Sequence, residues 1–348
     1  VNPFESVPHP GRKRAREPEG PLRIGAVVHK YPPYHNAGAE WMLHGLLREM
    51  VRRGHTCDVF VARGVFSSQG YDGVGVHRYV GHRPLAGVDV LLTHLDNTRE
   101  ATVVGRQTGA PVVHLIHNDR QLKFHSVQPV DADLIVVNSY WLKAIYDTWW
   151  PGHIAVVHPP VEPVRYRVKE FTDDRVTLMN LSEAKGGPLF WRLAAMMPHR
   201  RFLAVAGAYA LQEIPPELPP NVILVPNTAH VVEDVYARTK ILLMPSSYES
   251  WGRCAIEAAC SGIPTIAHAT DGLVESLGTA GLFIHRDHVN SWARSIDALY
   301  EDRFLYDTYS CWALERAAAL DPRRSDFDRF EKLLRQVVAG EIRATAIA

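Results

Sequence analysis

Two glutamates stand out in the stretch SSYESWGRCAIEAACSGIPT, residues 246–265. Glu249 precedes a run of small residues, and Glu257 lies inside it, flanked by Ala255, Ile256, Ala258 and Ala259. The apolar KILLMPSS segment runs into the loop that carries Glu249, Gly252 allows a tight turn, and the small-residue run reads as a helix to Cys260. The first turn of such a helix has unpaired N–H groups, which Trp251, Gly252, Arg253 and Cys254 would aim at an anion such as a diphosphate. Arg253 adds a formal positive charge. A carboxylate among small apolar residues needs partners, because burying an unpaired charge is expensive. The two hydroxyls of a ribose would serve Glu257, each contributing about 1.5–3 kcal/mol to a charged acceptor. Glu249, before the helix, could accept hydroxyls of a sugar attached to the diphosphate. The plainer alternative makes Glu249 a helix-start carboxylate favoured by the dipole and Glu257 a solvent-facing residue of an amphipathic helix.

The elements around this stretch alternate short apolar strands with helical segments. LRIGAVVH, HTCDVFVA, VDVLLTH, APVVHLIH and ADLIVVNS read as strands, with AEWMLHGLLREMVRR an amphipathic helix closed by Gly54 and YWLKAIYDTWW another helix. After Pro159, Pro160 and Pro163 interrupt the chain, the pattern restarts with RVTLMNLS, RRFLAVAG, KILLMPSS, PTIAHA and AGLFIH. Near-continuous apolar strands separated by helices imply parallel sheets covered on both faces. The chain therefore reads as α/β, two doubly wound domains in tandem, with ligands beyond the carboxyl ends of the strands. Residues 1–20 form a basic, proline-rich arm expected to be disordered. An N-terminal domain covers residues 21–163 and a C-terminal domain residues 164–320. A helix and tail, residues 321–348, could pack back on the N-terminal domain.

Composition narrows the function classes. Lys+Arg and Asp+Glu are 38 each, so the net charge is zero and no global field favours nucleic acid. Arg12, Lys13, Arg14 and Arg16 in the arm leave a nucleic-acid contact as a minor alternative to a solvated tail. The four cysteines make no CxxC pair, and no apolar run approaches the roughly 18 residues of a membrane span. With no apolar core of signal-peptide type at the start, the expectation is a cytoplasmic protein with no membrane role.

Read as MPSSYESWGRCAIEAACSGIPTIA with the downstream DGLVESLGTAGLFI, the C-terminal motif resembles the sugar-donor signature of retaining GT-B glycosyltransferases of the family 4, or group 1, type. The resemblance extends from about residue 22 to nearly the end of the chain. It implies two Rossmann-like domains facing across a cleft, and transfer of a sugar from a UDP- or GDP-linked donor to an acceptor hydroxyl with retention and without a metal. On this resemblance Glu249 contacts the donor sugar near the reacting carbon, Glu257 binds the ribose, and Lys185 in SEAKGG binds the diphosphate. The arginine usual a few residues before that lysine is replaced in MNLSEAK, where Asn180 and Ser182 stand, leaving Arg253 or another cation to compensate. In the N-terminal half, PPYHNAGAEWMLHGLL resembles the family's glycine loop and first helix: Ala37-Gly38 replaces Gly-Gly, Gly38 keeps the backbone approach to the phosphate, and Glu40 is a first-turn carboxylate. VVHLIHND matches the strand whose terminal histidine lies by the donor sugar, which points to His117 rather than His114.

Other readings are weaker. The GxGxxG fingerprint of a nicotinamide-binding fold is absent between the first strand and helix. A metal-dependent transferase of the other large fold would need Asp-x-Asp at the end of an apolar strand, and Asp131-Ala132-Asp133 precedes its strand, so no catalytic metal and no resident cofactor are expected. A non-catalytic sugar-nucleotide module, an NDP-sugar epimerase and a phosphorylase on the same fold stay open. The acceptor stays open among a glycan, a lipid-linked sugar, a small molecule, a hydroxylated nucleobase and a protein side chain. Base contacts fall by analogy in VPNTAH.

Overall fold

The computed structural model describes residues 20–65, 68–119 and 132–343. The basic arm and Asp131 lie outside the described residues. The chain divides into two compact units. Unit 1 takes the residues up to His35, Ala39–His158 and the residues from Ser325 on, and unit 2 takes Asn36–Gly38 and Pro159–Arg324.

Unit 1 is built on β1 (Arg23–Val28), β2 (Thr56–Val61), β3 (Gly75–Arg78), β4 (Val90–His94), β5 (Val112–Ile116), β6 (Leu134–Val137) and β7 (His153–Val156). They form one sheet in the order β3-β2-β1-β4-β5-β6-β7, and every pairing is parallel. β4, β5 and β6 are buried along their whole length, as strands covered on both faces must be. The helix Gly38–Arg52 turns Met42, Leu43, Leu46, Leu47 and Met50 into the main core of this unit. The last helix, Asp326–Ala339, fills the same core with Phe327, Phe330, Leu334 and Val337, an apolar stripe at three- and four-residue spacing.

Unit 2 repeats the plan with β8 (Arg175–Met179), β9 (Phe202–Val205), β10 (Val222–Val225), β11 (Thr239–Met244), β12 (Thr265–Ala267) and β13 (Gly281–Phe283). The order β10-β9-β8-β11-β12-β13 is the doubly wound order of dinucleotide-binding sheets, again all parallel. In each sheet the order reverses beside the first strand, between β1 and β4 and between β8 and β11. Those two reversal points are where α/β sheets open a crevice for ligands. The helical tail from Ser291 is three helices, Val289–Glu301, Arg303–Ala319 and Asp326–Ala339, interrupted at Asp302 and around Pro322. Trp292 and Ile296 of the first are fully buried against β8, β9 and β11.

Three strands escape the sequence pattern: β3, β7 and β10. Each is a four-residue edge strand with at most one buried position, so its apolar signal is short and half diluted by exposed residues.

The interior strand β5 carries His114 at 0% exposure, with neither ring nitrogen hydrogen-bonded. Burial pushes its pKa down to about 3. The folded form therefore refuses a proton that the unfolded chain accepts near the ordinary value of about 6.5. Because the folded pKa is the lower, stability falls as pH drops from 6.5 toward 3, by about 1.4 kcal/mol per pH unit from this one group. His114→Leu is expected to flatten the pH dependence between pH 6.5 and 5 by about 2 kcal/mol, measured by urea unfolding at each pH. Equal slopes for both proteins would show that His114 takes up a proton in the fold.

Candidate functional site

β8 and β11 are neighbours at the reversal point of unit 2, and their carboxyl-end loops carry the residues singled out in the sequence. The loop after β8 holds Asn180 to Lys185, and the loop after β11 holds Pro245 to Gly252. Ser247 N–H donates to the Ala184 carbonyl at 2.8 Å, fixing one loop against the other. Gly186 closes the first loop at φ +92°, and a Cβ there would come within 2.3 Å of Pro245 Cγ. Only glycine lets the two loops approach this closely.

Across that junction Lys185 Nζ donates to Glu249 Oε1 at 2.5 Å, and Ser246 Oγ donates to the same oxygen at 2.9 Å. The two charged side chains are 18% and 13% exposed, so they are screened from water but reachable. Burial by itself would lower the Lys185 pKa; Glu249, helped by Tyr209, outweighs it and holds the ammonium above its ordinary value. Lys185 is therefore a fixed positive charge.

The small-residue helix is Arg253–Ala259, seven residues long. Gly252 precedes it at φ +81°, where a Cβ would lie 2.3 Å from Leu273 Cδ2. Trp251 is buried at this turn. Ala255, Ile256, Ala258 and Ala259 pack into the core of unit 2. Glu257 does not face solvent: it is 6% exposed. Its Oε1 accepts from Arg253 Nε at 2.5 Å and its Oε2 from the Tyr236 hydroxyl at 2.7 Å. A carboxylate offers about four lone-pair directions, so two remain for another donor. Burial, with Glu257 adding, keeps the Tyr236 phenol well above its ordinary pKa and therefore a donor.

Arg253 departs from the expectation of a diphosphate ligand. Besides Glu257, its NH1 donates to the Pro160 carbonyl at 2.9 Å and its NH2 to the Tyr166 hydroxyl at 2.5 Å. The guanidinium is thus committed to protein partners and works as the clamp of Glu257. Burial and Glu257 push the Cys254 thiol up to about 12, which makes it an inert neighbour rather than a nucleophile. Where the resemblance expects an arginine before Lys185, Asn180 takes φ +70° and its Oδ1 accepts from Ser182 N–H and Gln212 Nε2, at 3.1 and 3.0 Å. Gln212 Oε1 in turn accepts from Leu181 N–H and Gly207 N–H, at 2.8 and 2.7 Å. That position organises the loops instead of supplying charge. In the VPNTAH loop, Thr228 Oγ1 donates to Asp234 Oδ2 at 2.5 Å and accepts from His230 N–H at 3.0 Å.

In unit 1, His117 directly follows β5 and is half-buried, its ring 5.4 Å edge-on from His94. Burial pushes its pKa down to about 4, so the imidazole is neutral near pH 7. Gly38 opens the helix Gly38–Arg52, and a Cβ there would meet nothing within 4 Å. Glu40 is more than a first-turn carboxylate: it is 1% exposed, with His29 Nε2 and His35 Nε2 at 3.4 and 3.7 Å. Asp133 accepts from Val112 N–H at 2.9 Å and is buried, which makes it a sheet-capping residue. Tyr236, Tyr166 and Gln212 carry no signal in the sequence, because their roles depend on strands far apart along the chain.

Residues 181–302 match the family model described as "Glycosyl transferases group 1". A D-inositol 3-phosphate glycosyltransferase of Mycobacteroides abscessus is 27% identical over 237 residues, 55% of this chain and 53% of that protein. The chain spans from 17% to 53% of the length of such curated relatives. Among solved structures, sucrose-phosphate synthase from Thermosynechococcus elongatus superposes with a TM-score of 0.71 at 18% identity, covering 91% of this chain and 100% of that one. Anabaena HepE, solved in complex with UDP-glucose, gives a TM-score of 0.68 at 17% identity, covering 92% and 100%. No helix among the described residues is long and apolar enough to cross a membrane. The two parallel sheets and the superpositions show a GT-B fold, and residues 181–302, which include the loops at the reversal point of the second sheet, are similar to group 1 glycosyl transferases.

Proposed function

We propose that this chain is a retaining glycosyltransferase that takes a nucleoside diphosphate sugar, UDP- or GDP-linked, and moves the sugar to an acceptor hydroxyl. The observation that carries the reading is the buried Glu257, clamped by Arg253 and Tyr236 beside the Lys185–Glu249 pair, all at one reversal point. Glu257 keeps two lone-pair directions for the 2′- and 3′-hydroxyls of a ribose. Lys185 meets the diphosphate, assisted by the N–H groups at Gly252 to Cys254. Glu249 then exchanges its lysine contact for hydroxyls of the donor sugar. HepE, which shares the fold, was solved with UDP-glucose, which supports a sugar nucleotide as the donor class.

In the reaction the bond from the anomeric carbon to the diphosphate oxygen breaks. The acceptor oxygen bonds to the same face of that carbon, and its proton passes to the departing phosphate. Charge builds on the leaving oxygen, where a pre-placed ammonium stabilises it without reorganising. Lys185 fills that role, and no divalent ion is required on the diphosphate. Neutral His117, in unit 1, is assigned to hydrogen bonding with hydroxyls of the sugar or the acceptor. This chemistry asks only for an acceptor hydroxyl, which we assign first to a glycan, a lipid-linked sugar or a small molecule, ahead of a hydroxylated nucleobase or a protein side chain.

Calorimetry with a panel of nucleotide sugars in the presence of a chelator tests the donor reading. One donor should bind, and Glu257→Ala should weaken it by about 1.5–3 kcal/mol, roughly ten- to a hundred-fold. A thermal melt run in parallel separates lost binding from lost fold, since the substitution also takes the carboxylate from the buried Arg253. Unchanged affinity in a folded variant would remove the ribose assignment. Glu249→Ala should depress turnover, read as donor hydrolysis or transfer, more than donor affinity. Full turnover in this variant would contradict the sugar role of Glu249, and no response to any donor would favour a non-catalytic module.

A further inference from the structure

The reversal point of unit 1, between β1 and β4, is lined by imidazoles. His29 follows β1, His94 ends β4, His35 lies in the connection after β1, and Glu40 stands in the first turn of the helix that follows. We infer that His29, His35 and Glu40 form a binding site for a divalent transition-metal ion, separate from the donor-binding residues of unit 2. One nitrogen from each histidine and one carboxylate oxygen lie within 4.8 Å of one another. Glu40 Oε1 is 3.4 Å from His29 Nε2 and 3.7 Å from His35 Nε2. Two ligand atoms each about 2.0–2.1 Å from a tetrahedral ion stand about 3.3 Å apart, so both contacts fall close to coordination spacing. The donor set, two imidazole nitrogens and one carboxylate, suits zinc and its first-row neighbours, and its open positions admit water.

A fourth group points the same way. His94 is fully buried, neither of its ring nitrogens is hydrogen-bonded, and its ring centroid is 5.9 Å from that of His29. Buried imidazole nitrogens ordinarily have partners. A water on the ion supplies one for His94, in the manner of the outer groups that support metal ligands. The ion would tie the end of β1 to the first turn of Gly38–Arg52 and fix the connection that contains His35. It is bound by this chain alone and requires nothing of the transferase reading.

The test is a titration of the full, chelator-treated chain with Co2+, followed by its visible d–d absorption, with Zn2+ as competitor. The expected result is one saturable equivalent, displaced by Zn2+, with a melting temperature that rises with metal concentration. His35→Gln, at a half-buried position, and Glu40→Gln should each weaken Co2+ by about tenfold or more. His199→Gln, which removes an exposed histidine paired with Asp297, should leave the titration unchanged. Absence of a saturable equivalent in the unsubstituted chain overturns the site, whatever the variants do. So does a Co2+ spectrum that His35→Gln leaves intact, which would make the His–Glu contacts ordinary ion pairs.

Discussion

A buried carboxylate needs a reason to exist, and Glu257 has one on each oxygen. Arg253, four residues earlier on the same helix, supplies charge, and Tyr236, from beyond β10, supplies a neutral donor. Arg253 is itself anchored by the Pro160 carbonyl and the Tyr166 hydroxyl, so the clamp reaches into the first residues of unit 2. Removing Arg253 would leave the carboxylate stranded among Ala255, Ala258 and Ala259, which is far costlier than never having built the pair. The geometry of the loops at this reversal point rests on this lock. The helix must pack closely to bury its small residues, and only a pre-satisfied carboxylate can sit within it.

The second constraint is topological. A parallel sheet sends every strand's carboxyl end to one edge, and the reversal of strand order parts two neighbouring loops there. Chemistry gathers at that edge in both units. In unit 2 it is a lysine and a carboxylate 2.5 Å apart, with Ser246 donating to the same carboxylate oxygen. In unit 1 it is a group of imidazoles around Glu40. The two halves share a backbone plan while the side chains at that edge differ, an ammonium–carboxylate pair in one and imidazoles around a carboxylate in the other.

The long, fully buried strands and the carboxylate motif were legible in the sequence because each is a local pattern: runs of Val, Leu and Ile, or two glutamates framed by a glycine turn and alanines. β3, β7 and β10 were not, since an edge strand of four residues needs only one side covered. The site shows the same divide. Glu257 could be singled out from its small apolar neighbours, and Lys185 entered only through the family resemblance of SEAKGG. That Arg253 serves Glu257 could not, because an arginine beside a helix start reads equally as an anion ligand, and Pro160 and Tyr166 enter only through folding. Glu40 was undervalued for a related reason. Its partners His29 and His35 stand eleven and five residues away across a turn whose path the sequence does not specify.

The helix Asp326–Ala339 belongs to unit 1 although the whole of Pro159–Arg324 intervenes. Phe327, Phe330, Leu334 and Val337 are thus the last contribution to a core whose other members lie before residue 160. On the ribosome, the first unit to start is the last to be finished. Until synthesis reaches that helix, the apolar face it covers has no lid, and the second unit can close its own core first. Nascent chains of this kind hold an incomplete half for the duration of an entire domain's translation, a window in which chaperones have an obvious client.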